Sequence, residues 1–282
     1  MSRDPFRMEG PACVSFSGGR TSGYMLWRIL QSHDGVLPPD VVVCFANTGK
    51  EHPETLDFVQ QCSERWSVPI VWLEYRSKAQ FVEVDHAAAS RNGEPFEALI
   101  RDRNFLPNPV ARFCTAELKV LTIKRYMNSI GHDEYLCAVG LRADEPRRVS
   151  KLRRDPSGGT RGVERIAPFA NAGIGVQRVG EFWAAADFDL QLPSHGGVSP
   201  HGNCDLCFLK GGNQILSLLR QDPSQAAWWM RMEGSISNPS IKNGGTFRTD
   251  RPRYSEMHRM AMDHGELFPF EDDSIEECSC TD

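Results

Sequence analysis

A short apolar run, Ala12-Cys13-Val14-Ser15-Phe16, leads directly into Ser17-Gly18-Gly19-Arg20-Thr21-Ser22, and that turn leads into Tyr24-Met25-Leu26-Trp27-Arg28-Ile29-Leu30. The order reads as a buried strand, a glycine turn and a helix. Such a junction aims backbone N–H groups and the positive end of a helix dipole at one point, where a phosphate can sit. Gly18 and Gly19 lack a Cβ, so the chain can turn sharply and an anion can approach the backbone. Ser17, Thr21 and Ser22 add hydroxyl donors. A serine-capped helix after a loose turn is the plainer reading of the same residues. The strand before and the helix after favour the phosphate loop.

The next segments repeat the alternation. Val41-Val42-Val43-Cys44-Phe45-Ala46 is continuously apolar, as in a strand covered on both faces, and it ends at the polar turn Asn47-Thr48-Gly49-Lys50. A helix is predicted from Pro53 to Trp66, with Pro53 and Glu54 suited to its first turn. Ile70-Val71-Trp72-Leu73 is the next strand, and Tyr135-Leu136-Cys137-Ala138-Val139 a later one. The fold class expected is α/β, a Rossmann-like parallel sheet flanked by helices. Ligands of such sheets bind where the carboxyl ends of strands meet helix N-termini. Both Ser17–Ser22 and Asn47–Lys50 occupy that rim.

These motifs resemble the adenine nucleotide α-hydrolase (PP-loop) superfamily, and within it the phosphoadenosine phosphosulfate (PAPS) reductase-like proteins often found on phage and prophage genomes. Ser17–Ser22 resembles the PP-loop, and Asn47-Thr48-Gly49 with Pro53-Glu54-Thr55 resembles the second-strand motif. Arg112-Phe113-Cys114-Thr115 resembles the Cys-containing helix start, and Gly140-Leu141-Arg142 the later Gly-x-Arg segment. Gly202-Asn203-Cys204-Asp205-Leu206-Cys207 resembles the Cys-x-x-Cys. Two departures stand out: Thr21 replaces an Asp common in PP-loops, and Phe113 replaces the first of two adjacent cysteines found in iron–sulfur sulfonucleotide reductases. The resemblance implies nucleotide binding by Ser17, Gly18, Gly19, Arg20, Thr21, Ser22, Asn47, Thr48, Gly49, Gly140 and Arg142. The implied ligand is ATP, with Mg²⁺, or PAPS or its relative APS.

Composition fits a soluble enzyme: 40% of the 282 residues are hydrophobic and no apolar run approaches a bilayer span, so no membrane association is expected. Residues 1–10 hold Arg3, Asp4, Arg7 and Glu9 and no apolar signal core, which points to a cytoplasmic location. Nine cysteines in such a chain suit thiols and metal ligands better than a disulfide framework. Cys204 and Cys207 have compact ligand spacing. Cys114 opens a helix predicted to run to Ile130, a position that stabilises a thiolate. With these three as ligands, a [4Fe–4S] cluster would keep one iron open for sulfur; a structural zinc is the alternative metal. Cys13, Cys44, Cys62 and Cys137 fall in strand or helix patterns and read as small core residues.

The segment from Arg142 to Arg165 sets eight cations against four acids in a chain of net charge −5. It reads as a solvated mobile loop, or as an anion-gripping lid or nucleic-acid contact, with Arg142 the residue expected to touch the ligand. Residues 77–110 pattern weakly, with a possible helix at Phe96–Arg103. Val176–Ala186, Asn213–Arg220 and Ser224–Met232 read as helices, and Ile236–Arg253 as a loop. The tail, Glu276-Glu277-Cys278-Ser279-Cys280-Thr281-Asp282, is polar and expected to be flexible. Cys278 after Glu277 resembles the tail nucleophile of PAPS reductases; Cys278 or Cys280 is otherwise a possible fourth metal ligand. The organisation expected is a nucleotide-binding core at 10–175, a helical part with the Cys-x-x-Cys at 176–268, and a tail at 269–282.

Three functions follow. The favoured one is ATP-dependent adenylation and thiolation, with a tRNA or other nucleic acid as sulfur acceptor and a thiol or sulfur-donor protein as partner. The second is a PAPS or APS reductase using Cys278. The third is a non-catalytic, zinc-clipped nucleotide- or nucleic-acid-binding module.

Overall fold

Each long apolar run of the first half is a strand in the computed structural model, which describes residues 4–194, 199–202, 204–236 and 245–263. The strands are β1 (Ala12–Ser15), β2 (Val41–Asn47), β3 (Ile70–Arg76) and β5 (Tyr135–Ala138); β2 and β3 are rich in β-branched and aromatic side chains, which suit a pleated buried surface. These strands join β4 (Gln80–Val84) and β6 (Val163–Ile166) in a six-stranded sheet of order β4-β3-β2-β1-β5-β6. The α/β class expected from the sequence is observed. The sheet is not wholly parallel, however. β4 runs antiparallel to β3, with Leu73 opposite Glu83, while all other pairs are parallel. Only Ser77 to Ala79 separate β3 from β4, far too few residues for a crossover, so the chain must turn straight back.

Helices cover both faces. α1 (Arg20–Ser32), α2 (Pro53–Arg65) and α8 (Val176–Ala185) pack on one, through Met25, Leu26, Ile29, Phe58, Val59, Val179 and Trp183. On the other lie α5 (Thr122–Ser129) and α6 (Pro146–Arg154), through Ile123, Met127, Val149 and Leu152. α5 completes a helix that starts as α4 (Phe113–Thr115) and passes through a π-helical stretch, Ala116–Leu121. Cys13, Cys44 and Cys137 are buried in the second of these layers and Cys62 in the first, as core residues.

A third apolar cluster joins α3 (Glu94–Arg103) to α9 (Gly212–Gln221), α10 (Ala226–Ser235) and α11 (Tyr254–Met262), with the Cys204–Cys207 turn inside it. Packing crosses the expected division at 175/176 in both directions. α8, Leu190 and Leu192 belong to the core of the sheet, and α3 belongs with the later helices. The basic segment is also more ordered than a mobile loop. It contains α6, whose Val149 and Leu152 are buried, then β6, then the short α7 (Pro168–Asn171). None of the described helices is long and apolar enough to cross a membrane.

The strand order places the functional rim. From β1 the chain winds outward through β2 to β3, then returns to put β5 on the other side of β1. The connections therefore diverge between β1 and β5, and a crevice opens at the carboxyl ends of those two strands.

Candidate nucleotide and thiol site

The loop after β1 lies at that crevice. Gly18 has φ +75°, and a Cβ there would meet the Thr55 methyl at 2.6 Å, so only glycine fits. Gly19 is the N-cap of α1, which leaves the N–H groups of Arg20, Thr21 and Ser22 as first-turn donors without an intrahelical acceptor. The Ser22 hydroxyl closes the loop from inside. It accepts from the N–H of Ser17 at 3.2 Å and of Gly19 at 3.3 Å, and donates to the Gly19 carbonyl at 2.9 Å. Ser22 is thus a shaping residue, and Ser17 and Thr21 carry the more accessible hydroxyls.

Arg20 departs from its expected role. Its guanidinium is held by both oxygens of Asp189, each at 2.7 Å, and by the carbonyls of Leu190 and Leu192. The side chain ties the start of α1 to the segment after α8, and only the Arg20 backbone faces the loop. Trp183 adds a hydrogen bond from Nε1 to the Arg20 carbonyl at 2.7 Å.

The Gly-x-Arg segment sits alongside. A Cβ on Gly140 would touch the Ser22 Cα and the Thr21 methyl at 3.6 Å, so the two loops are in van der Waals reach. Arg142 lies on the rim, with its Nε on Asp144 at 2.9 Å and its N–H on Glu145 at 2.8 Å. Glu145 is buried and also ion-paired to Arg148.

A cleft opens beneath these loops, bounded by Ser15, Phe16, Ser17 and Val139 from strand ends and by Lys119, Val120 and Ile123 from the π-helical stretch and α5. Ser157, Gly158 and Arg165 also line it. The cavity is about 80 Å³. Small-molecule sites usually run to about 300–1,000 Å³, so the cleft is smaller than a nucleotide as it stands. Gly158 and Gly159 both have positive φ, and a Cβ on Gly158 would meet the Arg165 guanidinium at 2.5 Å, so glycine lets the 157–160 loop lie against that side chain. Sequence reading missed Lys119. A π turn takes more residues than an α turn and rotates the following side chains, so an ideal helical wheel does not place Lys119 at the cleft.

The second-strand motif has a structural role that its sequence did not announce. Asn47, fully buried, donates through Nδ2 to Glu74 at 2.7 Å and to the Ser90 carbonyl at 2.9 Å, and accepts from the Gly49 N–H at 3.0 Å. Thr48 gives its N–H and its hydroxyl to Glu51. These contacts build the junction between β2 and the thiol turn. Glu51 pairs with Cys204 in an isolated antiparallel bridge. The Asp205 N–H donates to the Lys50 carbonyl at 2.8 Å, and Lys50 Nζ meets Asp205 Oδ2 at 2.7 Å. Trp229 donates to Asp205 at 2.8 Å.

Cys204 and Cys207 are both buried in one turn, and Cys114 packs against the same apolar cluster. Among the described residues, however, no three Cys, His, Asp or Glu side chains converge to hold a metal ion. A cluster ligated by Cys114, Cys204 and Cys207 alone does not fit this arrangement. Cys204 and Cys207 are buried in the cluster with Leu206, Phe208, Trp229 and Phe247, and Cys114 is partly buried against it. Cys278 and Cys280 lie outside the described residues.

A glycine loop at the switch point of a mainly parallel sheet, with a helix N-terminus over the crevice, defines an α/β protein of the PP-loop type. Within that class the chain belongs to the phosphoadenosine phosphosulfate reductase domain family, which matches residues 11–171. An uncharacterized nin region protein, ORF290 of Escherichia phage lambda, is 30% identical over 219 residues, covering 72% of this chain and 67% of that protein. A U34-tRNA thiolase, NcsA of Methanococcus maripaludis, solved with its [4Fe-4S] cluster, matches with a TM-score of 0.42 and 14% identity, over 94% of this chain and 85% of that one.

Proposed function

We propose that this chain binds an adenine nucleotide at the β1/β5 crevice and uses it to drive sulfur transfer. The observation that supports the reading is that three elements suited to holding an anion lie at one rim. They are the first-turn amides of α1, the Gly140–Arg142 segment against Ser22 and Thr21, and Lys119 in the cleft below. Backbone dipoles and a fixed ammonium favour negative charge at the reacting phosphate and stabilise more of it as the transition state develops.

The chemistry is a two-step displacement. An acceptor oxygen attacks the α-phosphorus of ATP; the new O–P bond forms as the bond to pyrophosphate breaks. The outer sulfur of a persulfide on Cys204 or Cys207 then attacks the activated acceptor carbon; a C–S bond forms and AMP leaves with the C–O electron pair. The second cysteine's thiolate attacks the inner sulfur, the S–S bond to the product breaks, and the Cys204–Cys207 disulfide left behind is reduced by the thiol donor. The α1 amides and Lys119 hold the phosphates in line, and the 157–160 loop excludes water once closed. In this reading Cys204 and Cys207, tied to the same rim through contacts of Cys204 with Thr48 and Glu51, carry the sulfur.

The test offers ATP, PAPS and APS to the anaerobically purified full chain. ATP-dependent AMP and pyrophosphate, formed with acceptor present and lost in Lys119→Ala, support the reading. Sulfite from PAPS or APS with a thiol donor, lost in Cys278→Ala, would show a reductase instead. No nucleotide binding at all would leave only the non-catalytic module, whose zinc a metal assay detects.

A further inference from the structure

Helix α6 turns Val149 and Leu152 inward and leaves Arg147, Lys151 and Arg154 exposed. Their spacing of i, i+4, i+7 sets the three on one line, with neighbours about 6 Å apart and the ends about 10 Å apart. Arg153 and, beyond the helix, Arg161 extend the exposed charge. Among the described residues Arg147, Arg153, Arg154 and Arg161 form no ion pair. Like charges at this spacing repel along the helix. The helix dipole offsets this for Lys151 and Arg154 in the last turn, but not for Arg147 in the first. The arrangement is thus not explained by the helix itself, and it stands in a chain of net charge −5.

The row also leads somewhere. α6 runs directly into the 155–160 loop, whose Ser157, Gly158 and Thr160 line the cleft together with Arg165, and Arg165 donates to the carbonyls of Asp155 and Pro156. The cationic row therefore leads to the wall of the cleft. A free nucleotide has its phosphates inside the crevice and does not need this row. A lipid surface is a poor match, because an interfacial helix buries exposed apolar residues and those of α6 are already buried in the core.

We propose that the outer face of α6 docks the phosphate backbone of a single-stranded nucleic acid whose reacting nucleotide enters the cleft. This rests on the nucleotide-dependent transfer reading above and names the acceptor class. A single strand suits it because a base in a duplex must first leave its stack to reach such a cleft. RNA and DNA share the backbone chemistry, so both are tested.

The experiment measures binding of the full chain to fluorescein-labelled 20-nucleotide RNA, DNA and duplex probes by anisotropy across a salt series. Arg147→Gln/Lys151→Gln/Arg154→Gln is compared with a charge-matched control, Arg178→Gln/Arg220→Gln/Arg259→Gln. Three phosphate contacts on a single strand contribute about 2 to the slope of log affinity against log salt, so the first variant should bind about 100-fold more weakly near 0.1 M salt and the control little changed. RNA binding without DNA binding, or the reverse, identifies the strand. Equal loss in both variants, no binding by the parent chain, binding confined to duplex, or equal competition by polyglutamate would each overturn the proposal. ATP affinity measured in parallel separates the two readings: if it persists in the first variant while strand binding never occurs, the cleft assignment stands and the docking face does not.

Discussion

The Thr48 hydroxyl oxygen lies 3.5 Å from the Cys204 sulfur, across 156 positions of sequence. Both carboxylate oxygens of Glu51 approach the same hydroxyl, at 2.9 and 2.8 Å, so the Thr48 proton is directed to Glu51 and its oxygen is left to accept from the thiol. One threonine therefore couples the carboxyl end of β2 to the thiol turn. Thr48→Val keeps the shape, removes the hydroxyl and leaves a buried carboxylate short of a partner. The expected cost is about 1–3 kcal/mol in urea unfolding, with Thr48→Ser close to the parent. An unchanged midpoint for the valine variant would show that the contact carries no stability.

Gly18→Ala tests the loop itself. The residue sits at φ +75°, and its new methyl would press on Thr55 and, at 3.2 Å, on Val59. Strain at a non-glycine left-handed position costs about 1–3 kcal/mol before the clash is counted. Thermal unfolding should fall by several degrees and nucleotide binding should be lost. Gly10→Ala, also at positive φ but with open space around it, should cost less and leave binding intact.

The strands that position the crevice were legible because each is a continuous apolar run, and burial on both faces produces that pattern whatever the tertiary detail. β4 escaped notice because it is an edge strand, half exposed, with no apolar alternation to find. α6 and β6 were hidden by charge: only Val149 and Leu152 mark the helix among its cations. The loop 17–22 was readable from flanking elements, but the fate of individual side chains was not. Arg20 turns to Asp189, 169 positions away, and Asn47 to Glu74 and Ser90. Local sequence cannot show which distant carboxylate or carbonyl a side chain will meet. The Cys-x-x-Cys spacing was plain, whereas its burial among Leu206, Phe208 and Trp229 was not.

Burial, the His52 ring 5.2 Å away and Lys210 lower the basicity of His201, while Glu54 opposes them. His201 thus binds its proton less readily in the folded chain than in the unfolded one. The unfolded state then takes up more protons on acidification, and stability rises with pH through the interval from the lowered value up to about 6.5, the ordinary histidine value, and levels off above it. Urea midpoints measured from pH 5 to pH 8, about this window, should climb and then flatten. His201→Gln should reduce the slope; an identical profile would remove His201 as its source.

Lys119 and Ser17 both line the cleft, and Lys119 is ion-paired to Glu51 at 3.8 Å. Lys119→Ala should weaken ATP binding about tenfold or more, the scale of one lost charge-assisted hydrogen bond, and do so less at high salt. Lys124→Ala offers the comparison. That lysine caps the Asp133 carbonyl on the outside of the same helix, and its loss should leave ATP binding unaltered. Equal affinities for the Lys119 variant and the parent would move the phosphates away from this helix.

The Lys50–Asp205 pair decides how firmly the thiol turn is anchored. Its charges are 2.7 Å apart with side chains only 8% and 12% exposed, and Lys50 lies over the Trp228 ring at 5.3 Å. Taking one partner away leaves the other charge in a site that water cannot reach well, at a cost of about 3–5 kcal/mol. Lys50→Met alone and Asp205→Asn alone should therefore each destabilise the chain strongly. The double variant should recover part of the loss, since no unpaired charge remains. Asp205→Asn keeps a partner for Trp229 Nε1, so the recovery reports on the ion pair rather than on that hydrogen bond. If the two single losses simply add in the double variant, the lysine and the aspartate act independently, and the backbone bridge at Glu51 and Cys204 is what holds the thiols to the sheet.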